Sequence, residues 1–181
     1  VHCRESLAIL EELYADFPDV PKDLDALAHS HNQLGAHLVK TSKLEEAEEH
    51  LREALELREQ LLAEEPADPG RRGFLAVAKH NVGNLLARQG KFEEAEKQYR
   101  EVIAIYQKVV EEFPGWVNRR KDLGHLLRTL SELLRDRGRV QEAVDTLREA
   151  VFHWEKLVGD HPDVSHFRDS LGGSLTWLGE M

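Results

Sequence analysis

The chain has 181 residues, with 24 Lys or Arg against 34 Asp or Glu, for a formal charge of −10. That balance argues against a general nucleic-acid binder, whose phosphate contacts need a cationic surface, and no apolar run approaches the roughly 20 residues of a membrane-spanning helix. Apolar residues still make up 41%, too many for a disordered segment, and the one cysteine, Cys3, excludes an internal disulfide framework and fits a reducing, cytoplasmic compartment.

Shifted against itself by 48 residues, the sequence stays in register. Pro18, Pro66, Pro114 and Pro162 keep that step. So do Leu7, Leu55, Ile103 and Val151; Leu13, Leu61, Val109 and Leu157; and Leu27, Leu75, Leu123 and Leu171. Ala47, Ala95 and Ala143 form a small-residue ladder, and Arg4-Glu5, Arg52-Glu53, Arg100-Glu101 and Arg148-Glu149 a charged one.

Within one period the apolar residues recur at steps of three and four, the signature of amphipathic helix. Phe92, Ala95, Tyr99, Val102, Ile103, Tyr106 and Val109 share one stripe; Leu75, Ala78, Val82 and Leu85 share another. In chain order the pattern predicts helices over about 1–17, 22–41, 43–64, 70–89, 91–113, 117–137, 139–160 and 164–181. Gly90 and Gly138 mark left-handed stops between the two helices of a pair. Ser42 takes that place in the first pair, and with Glu45 three residues on it has the form of a capping box. Each second helix ends before a proline, which disfavours helix in the residue it follows.

These residues resemble the tetratricopeptide repeat, a pair of antiparallel helices. The family's apolar-small step is matched by Leu34-Gly35, Val82-Gly83, Leu130-Ser131 and Leu178-Gly179; its turn residue by Ser42, Gly90 and Gly138; its small residue by Ala47, Ala95 and Ala143, followed by Leu51, Tyr99 and Leu147. The common repeat is 34 residues, so a period of 48 adds 14, about four helical turns shared between two helices. The family's early aromatic is replaced by His31, Lys79, Leu127 and Leu175, and its terminal proline comes seven residues later. The variant is similar to the arrays of kinesin light chains and of bacterial proteins that join them to Ser/Thr kinase domains. The resemblance implies an all-α, right-handed superhelical solenoid of eight helices: one array over 1–181, with repeats at 19–66, 67–114 and 115–162, a lone second helix at 1–18 and a lone first helix at 163–181.

It also implies that first helices line a concave groove. Opposite the leucines those helices carry His29, Asn32, Gln33, Ala36 and Lys40; Val77, His80, Asn81, Asn84 and Arg88; His125, Arg128, Thr129, Glu132 and Arg135; and Gly173, Thr176 and Trp177. The windows 19–42, 67–90 and 115–138 hold 12 basic and 7 acidic residues, while 43–66, 91–114 and 139–162 hold 10 and 20. Amides donate to and accept from a peptide backbone, and arginine grips a carboxylate with two parallel bonds. The expected function is therefore a protein-interaction scaffold that binds an extended or acidic peptide through Asn32, Gln33, His80, Asn81, Asn84, Arg88, His125, Arg128 and Arg135. Alternatives are an RNA-binding helical repeat and the regulatory segment of a bacterial Ser/Thr kinase.

No enzyme motif, metal-ligand spacing or cofactor fingerprint is present, so no catalytic role, metal or cofactor is expected of this segment. Cys3 and Trp154 align with large core residues and read as packing. A second basic set, Arg71, Arg72, Arg119, Arg120, Lys121 and Arg168, follows each inter-repeat loop. Its expected role is pairing with acidic ends of second helices such as Glu64, Glu65, Glu111 and Glu112; the alternative is an anion-binding rim. Leu171, Leu175, Trp177 and Leu178 on the last helix suggest end-to-end self-association through an uncovered apolar face.

Overall fold

The computed structural model describes residues 2–16 and 23–181. Pro18, the predicted helix start at 22 and the side chains of Cys3 and Arg4 lie outside the described residues. Among those described there are eight helices and no strand: α1 His2–Asp16, α2 Leu24–Lys40, α3 Leu44–Glu64, α4 Pro69–Arg88, α5 Phe92–Glu112, α6 Val117–Asp136, α7 Val140–Asp160 and α8 Ser165–Glu180. The bounds fall within a few residues of those read from periodicity.

One hydrogen-bonded turn closes the first helix of each of three pairs. Gly90 and Gly138 both take φ 78°, and Ser42 takes φ 61° in the same place. Around Ser42 the amide of Lys43 donates to the Leu38 carbonyl at 3.0 Å and that of Ser42 to Val39 at 3.2 Å. Lys91 to Leu86 (2.9 Å) and Arg139 to Leu134 (2.9 Å) repeat it. This is the Schellman arrangement, which satisfies the last carbonyls of a helix. It overturns the capping box expected at Ser42 and Glu45: the residue before α3 is Lys43, with no side-chain cap. Ser42 is held in the left-handed region to finish α2, so its backbone cannot also cap α3. Asp23 and Asp68 do cap, accepting from Ala26 at 3.0 Å and from Gly70 at 2.6 Å. Pro69 opens α4, where its missing amide costs nothing.

The chain forms two compact units, Val1–Gln98 and Tyr99–Met181. In the first, α2 packs on α1, α3 and α4, and α3 on α4. Its core joins Leu7, Leu34, Leu38, Val39, Ala47, Leu51 and Leu85. In the second, α7 packs on α6 and α8, around Leu123, Leu127, Leu130, Leu147, Trp154 and Leu157, all almost wholly buried. Leu13 departs from its ladder and is 40% exposed, while Leu61, Val109 and Leu157 are buried.

Small residues let the two helices of a pair approach. A Cβ on Gly35 would lie 2.6 Å from Cγ and 2.7 Å from Cδ2 of Leu51. Ser131, in the equivalent place on α6, is fully buried and donates to the Ala143 carbonyl at 2.6 Å. Gly124 meets the Trp154 ring, where a Cβ would lie 2.7 Å from Cε2. Trp154 and Tyr106 occupy one packing slot, as their alignment implies. The slot's first member is Arg58, equally buried, whose guanidinium binds the Asp25 carboxylate and reaches the Asp25 carbonyl at 3.3 Å. The ring of Phe74 lies 4.8 Å from its Cζ.

Gly35→Ala tests the close approach. Overpacking against Leu51 should cost about 1–3 kcal/mol, outweighing the roughly 1 kcal/mol that alanine gains in helix propensity. In a Leu51→Ala background the side-chain clash is gone and only the backbone nitrogen at 3.3 Å remains close, so the same change should stabilise by up to about 1 kcal/mol. Chemical denaturation of the four proteins reads the reversal of sign; a cost of equal size in both backgrounds would contradict the packing.

Candidate functional site

In the unit Val1–Gln98 the polar side of α2 and α4 is partly built into the fold. Asn32 is buried, and its Oδ1 accepts from Nδ2 of Asn81 at 2.9 Å. That bond ties two first helices together and leaves the other amide functions of the pair for further partners. His80, Asn81 and Asn84 are half-buried; Gln33 and Arg88 are exposed. Arg88 Nη2 donates to Ser42 Oγ at 2.8 Å, and Gln89 Nε2 to Glu48 Oε2 at 2.8 Å. Beneath this surface Nδ1 of His31 faces Nδ1 of His50 at 3.1 Å. His31 is buried, so the family's aromatic place is filled by a histidine bonded to the second helix of its pair.

In the unit Tyr99–Met181 the corresponding side of α6 and α8 forms an open pocket of about 390 Å³. It is lined by Arg128, Glu132, Arg135, Gly173, Thr176, Trp177 and Glu180. Arg128 Nε donates to Glu132 Oε1 at 3.0 Å, one turn along α6. Arg135 Nε and Nη2 donate to Asp136 Oδ1 at 3.1 and 2.8 Å, and its Cζ lies 5.0 Å from the centre of the Trp177 ring. Both ion pairs are solvated, with arginine side chains 47% and 43% exposed. Such pairs contribute roughly 0–1 kcal/mol, so an arriving carboxylate displaces little. The pocket thus offers two guanidinium groups and an indole plate, with Glu132 and Glu180 limiting the positive charge.

His125 is not among the lining residues. It is half-buried, edge-on to Trp154 with ring centres 4.7 Å apart, and 5.8 Å from His166. Burial, then the neighbouring His166 and Lys121, hold its pKa below the ordinary histidine value. It is a packing residue near neutral pH. The structure therefore brings Arg128 and Arg135 together around one cavity, sets Asn32 and Asn81 into a helix-to-helix bond, and withdraws His125 to the core edge.

Glu180 went unrecognised in the sequence. Its signal was there: Gly173, Thr176, Trp177 and Glu180 stand at i, i+3, i+4 and i+7, one helix face. The second basic set divides. Arg71 pairs with Glu64 at 3.1 Å and Glu65 at 3.5 Å and also donates to the Leu61 carbonyl, as expected. Arg119 pairs with Asp122 at 3.1 Å on its own helix. Arg120 is buried, yet its side chain makes no hydrogen bond or ion pair among the described residues; acidic pairing fails there because the side chain runs into a cavity beside α7. Arg168 is exposed. Among the described residues no group of three or more His, Cys, Asp or Glu could hold a metal ion, and no helix is long and apolar enough to cross a membrane.

A family model described as tetratricopeptide repeat matches residues 27–68, 75–114 and 124–163. No curated protein matches the chain. Among solved structures, BtubC (BKLC) from P. vanneervenii is 16% identical and superposes with a TM-score of 0.61, over 99% of this chain and 72% of that one; that likeness shows the fold. Nearly identical TPR-like repeats of kinesin light chain type from Podosopora anserina are 16% identical over 96% of this chain and 87% of that one, with a TM-score of 0.47. A point variant of those repeats gives 15% identity and the same TM-score over 99% and 89%.

Two partly buried groups make the unit Tyr99–Met181 acid-sensitive. His125 binds fewer protons folded than unfolded, so stability falls as pH drops below about 6.5, its ordinary value. Glu149 is held below its ordinary value of 4.5 by His153 and by Gln107, which donates to it at 2.6 Å, so its contribution is lost as pH falls below that value. Of these two, only His125 acts between pH 7.5 and 5.5. His125→Phe should keep the ring contact with Trp154 and flatten the loss of Tm over that interval; parallel curves for the two proteins would contradict the assignment.

Proposed function

The chain belongs to the tetratricopeptide repeat family, and we propose that it binds an extended or acidic peptide on the first-helix side of its repeats. An array of this family is a protein-interaction scaffold, and stacked repeats need no chemistry beyond shape and charge to bind. The observation that carries the finer reading is the pocket of Arg128 and Arg135 on α6 and Trp177 on α8, residues of two first helices that line one cavity. Two guanidinium groups flank the space, their existing partners are solvated and weakly held, and the indole offers an apolar plate to a neighbouring side chain.

In the unit Val1–Gln98 the same reading assigns Gln33, His80, Asn84 and Arg88 to backbone and side-chain contacts with the peptide. Asn32 and Asn81 act there chiefly by fixing α2 to α4 through their 2.9 Å bond. The repeat limits 19–66, 67–114 and 115–162 and a cytoplasmic setting belong to the same proposal, the latter supported by the single cysteine. So does self-association through α8, supported by Leu175 at 46% exposure beside the half-buried Leu171 and Leu178.

Anisotropy of fluorescein-labelled acidic peptides tests the binding side. Arg128→Ala and Asn84→Ala should each weaken binding by about 1 kcal/mol or more, roughly fivefold or more. Unchanged affinity in both, with loss on substitution of Glu on the second helices, would move the site elsewhere. For the apolar side of α8, sedimentation velocity should show Leu175→Lys shifting any dimer toward monomer. A wild type that is monomeric at high concentration would remove self-association from the proposal.

A further inference from the structure

A second cavity, of about 420 Å³, opens in the unit Tyr99–Met181 among α5, α7 and the start of α6. It shares no residue with the pocket of Arg128 and Arg135. Arg120 lines it and is only 7% exposed, with no hydrogen bond or ion pair from its side chain among the described residues. Most of its side chain is packed away, but none of its nitrogens is buried without a partner, so the guanidinium faces the open cavity, where an incoming anion can reach it. Arg58, the other buried arginine named above, has its Asp25. Arg71, one place before the equivalent of Arg120 in the preceding repeat, has Glu64 and Glu65.

The walls narrow what the partner can be. His153 is 7% exposed; its Nε2 lies 3.9 Å from Glu149 Oε1, and its Nδ1 is buried with no partner among the described residues. Glu149 accepts from Gln107 at 2.6 Å and makes no ion pair with Arg120. Phe152 is 51% exposed, with the Lys156 ammonium 5.4 Å from its ring centre. One repeat earlier, the places of Phe152 and His153 hold Ala104 and Ile105. The arginine ladder is periodic, and Lys156 repeats Lys108, but Phe152 and His153 break the repeat. A periodic feature reads as architecture, and its non-periodic surroundings read as a site.

We propose that this cavity, on the second-helix side of the array, binds a peptide segment in which a carboxylate side chain reaches Arg120 and an adjacent apolar side chain rests on Phe152. The charge inventory favours a single negative charge. Arg120 and Lys156 attract it, while Glu111 and Glu149 also line the cavity and would repel a dianion such as a phosphoryl group. An arriving carboxylate gives the guanidinium two acceptor oxygens in matching geometry. The volume holds a few side chains, not a folded domain.

The test uses the whole chain, isotopically labelled, and a blocked hexapeptide carrying one Glu between apolar residues. Its Gln isostere and its phosphoserine counterpart are the comparison probes. The Glu peptide should shift the Arg120 Nε–H and Phe152 ring signals and bind at least tenfold more tightly than either comparison peptide. Arg120→Gln should abolish that preference, and Arg128→Ala should leave it intact, which separates this site from the first-helix pocket. Arg120→Lys preserves the charge and the fold should Arg120→Gln prove unstable; losing the forked geometry, it should still bind at least fivefold more weakly. Equal binding of the Glu and Gln peptides, preference for the phosphorylated one, shifts confined to Arg128 and Arg135, or undiminished binding by the Arg120 variants would each overturn the proposal.

Discussion

The structure depends on how closely the two helices of a pair approach. At Gly35 the space for a Cβ is taken by Leu51, and at Gly124 by the Trp154 ring. At Ser131 the side chain is small enough to be buried, and its hydroxyl is satisfied by the Ala143 carbonyl. Interiors are packed at crystal-like density, so one methyl group at such a crossing is felt. The leucine ladders, each large buried side chain contributing roughly 1.5–3 kcal/mol, deliver their burial only if these crossings are narrow. Every other feature sits on helices that the crossings have set in place.

Because each first helix spends its leucine side on packing, its opposite side is left polar. On α6 that side gathers arginines whose ion pairs are local, solvated and easily exchanged, and α8 sets Trp177 beside them. On α2 and α4 the same side contributes amides, two of which are consumed in a bond between helices. One stripe of sequence therefore serves two ends: part of it holds neighbouring first helices together, and part of it presents hydrogen-bonding groups to a partner. Recognition chemistry is cheap to build here, since the scaffold's stability hardly depends on what the polar side carries.

Arginine illustrates how context divides one residue type. Arg58 fills a slot that Tyr106 and Trp154 fill in the later repeats, with Asp25 supplying the charge that an aromatic ring would not need. Arg71 pins the end of α3 to the start of α4 through Glu64, Glu65 and a backbone carbonyl. Arg120 has neither arrangement and points its charge into a cavity. Removing a partner from a buried charge costs far more than any surface pair contributes, so the three carry quite different energetic stakes despite similar sequence surroundings.

The 48-residue period and the steps of three and four determined the helix count, the helix spans and the place of the turns, because backbone hydrogen bonding and one-sided burial impose those spacings on any chain that folds this way. Gly90 and Gly138 announced their left-handed turns, since a residue without a Cβ takes positive φ without strain. Ser42 was legible as a turn residue but misread as a cap, because the same side chain serves both and only the backbone φ separates them. The polar stripe was legible as a face, with Arg128 and Arg135 among its candidate binding residues. That Asn32 would be buried, that His125 would turn to Trp154 and that Arg120 would line a cavity were decided by tertiary packing. Those outcomes rest on which side chain of a neighbouring helix arrives at a given height, and a repeat period, which fixes spacing along the chain, carries no information about that meeting.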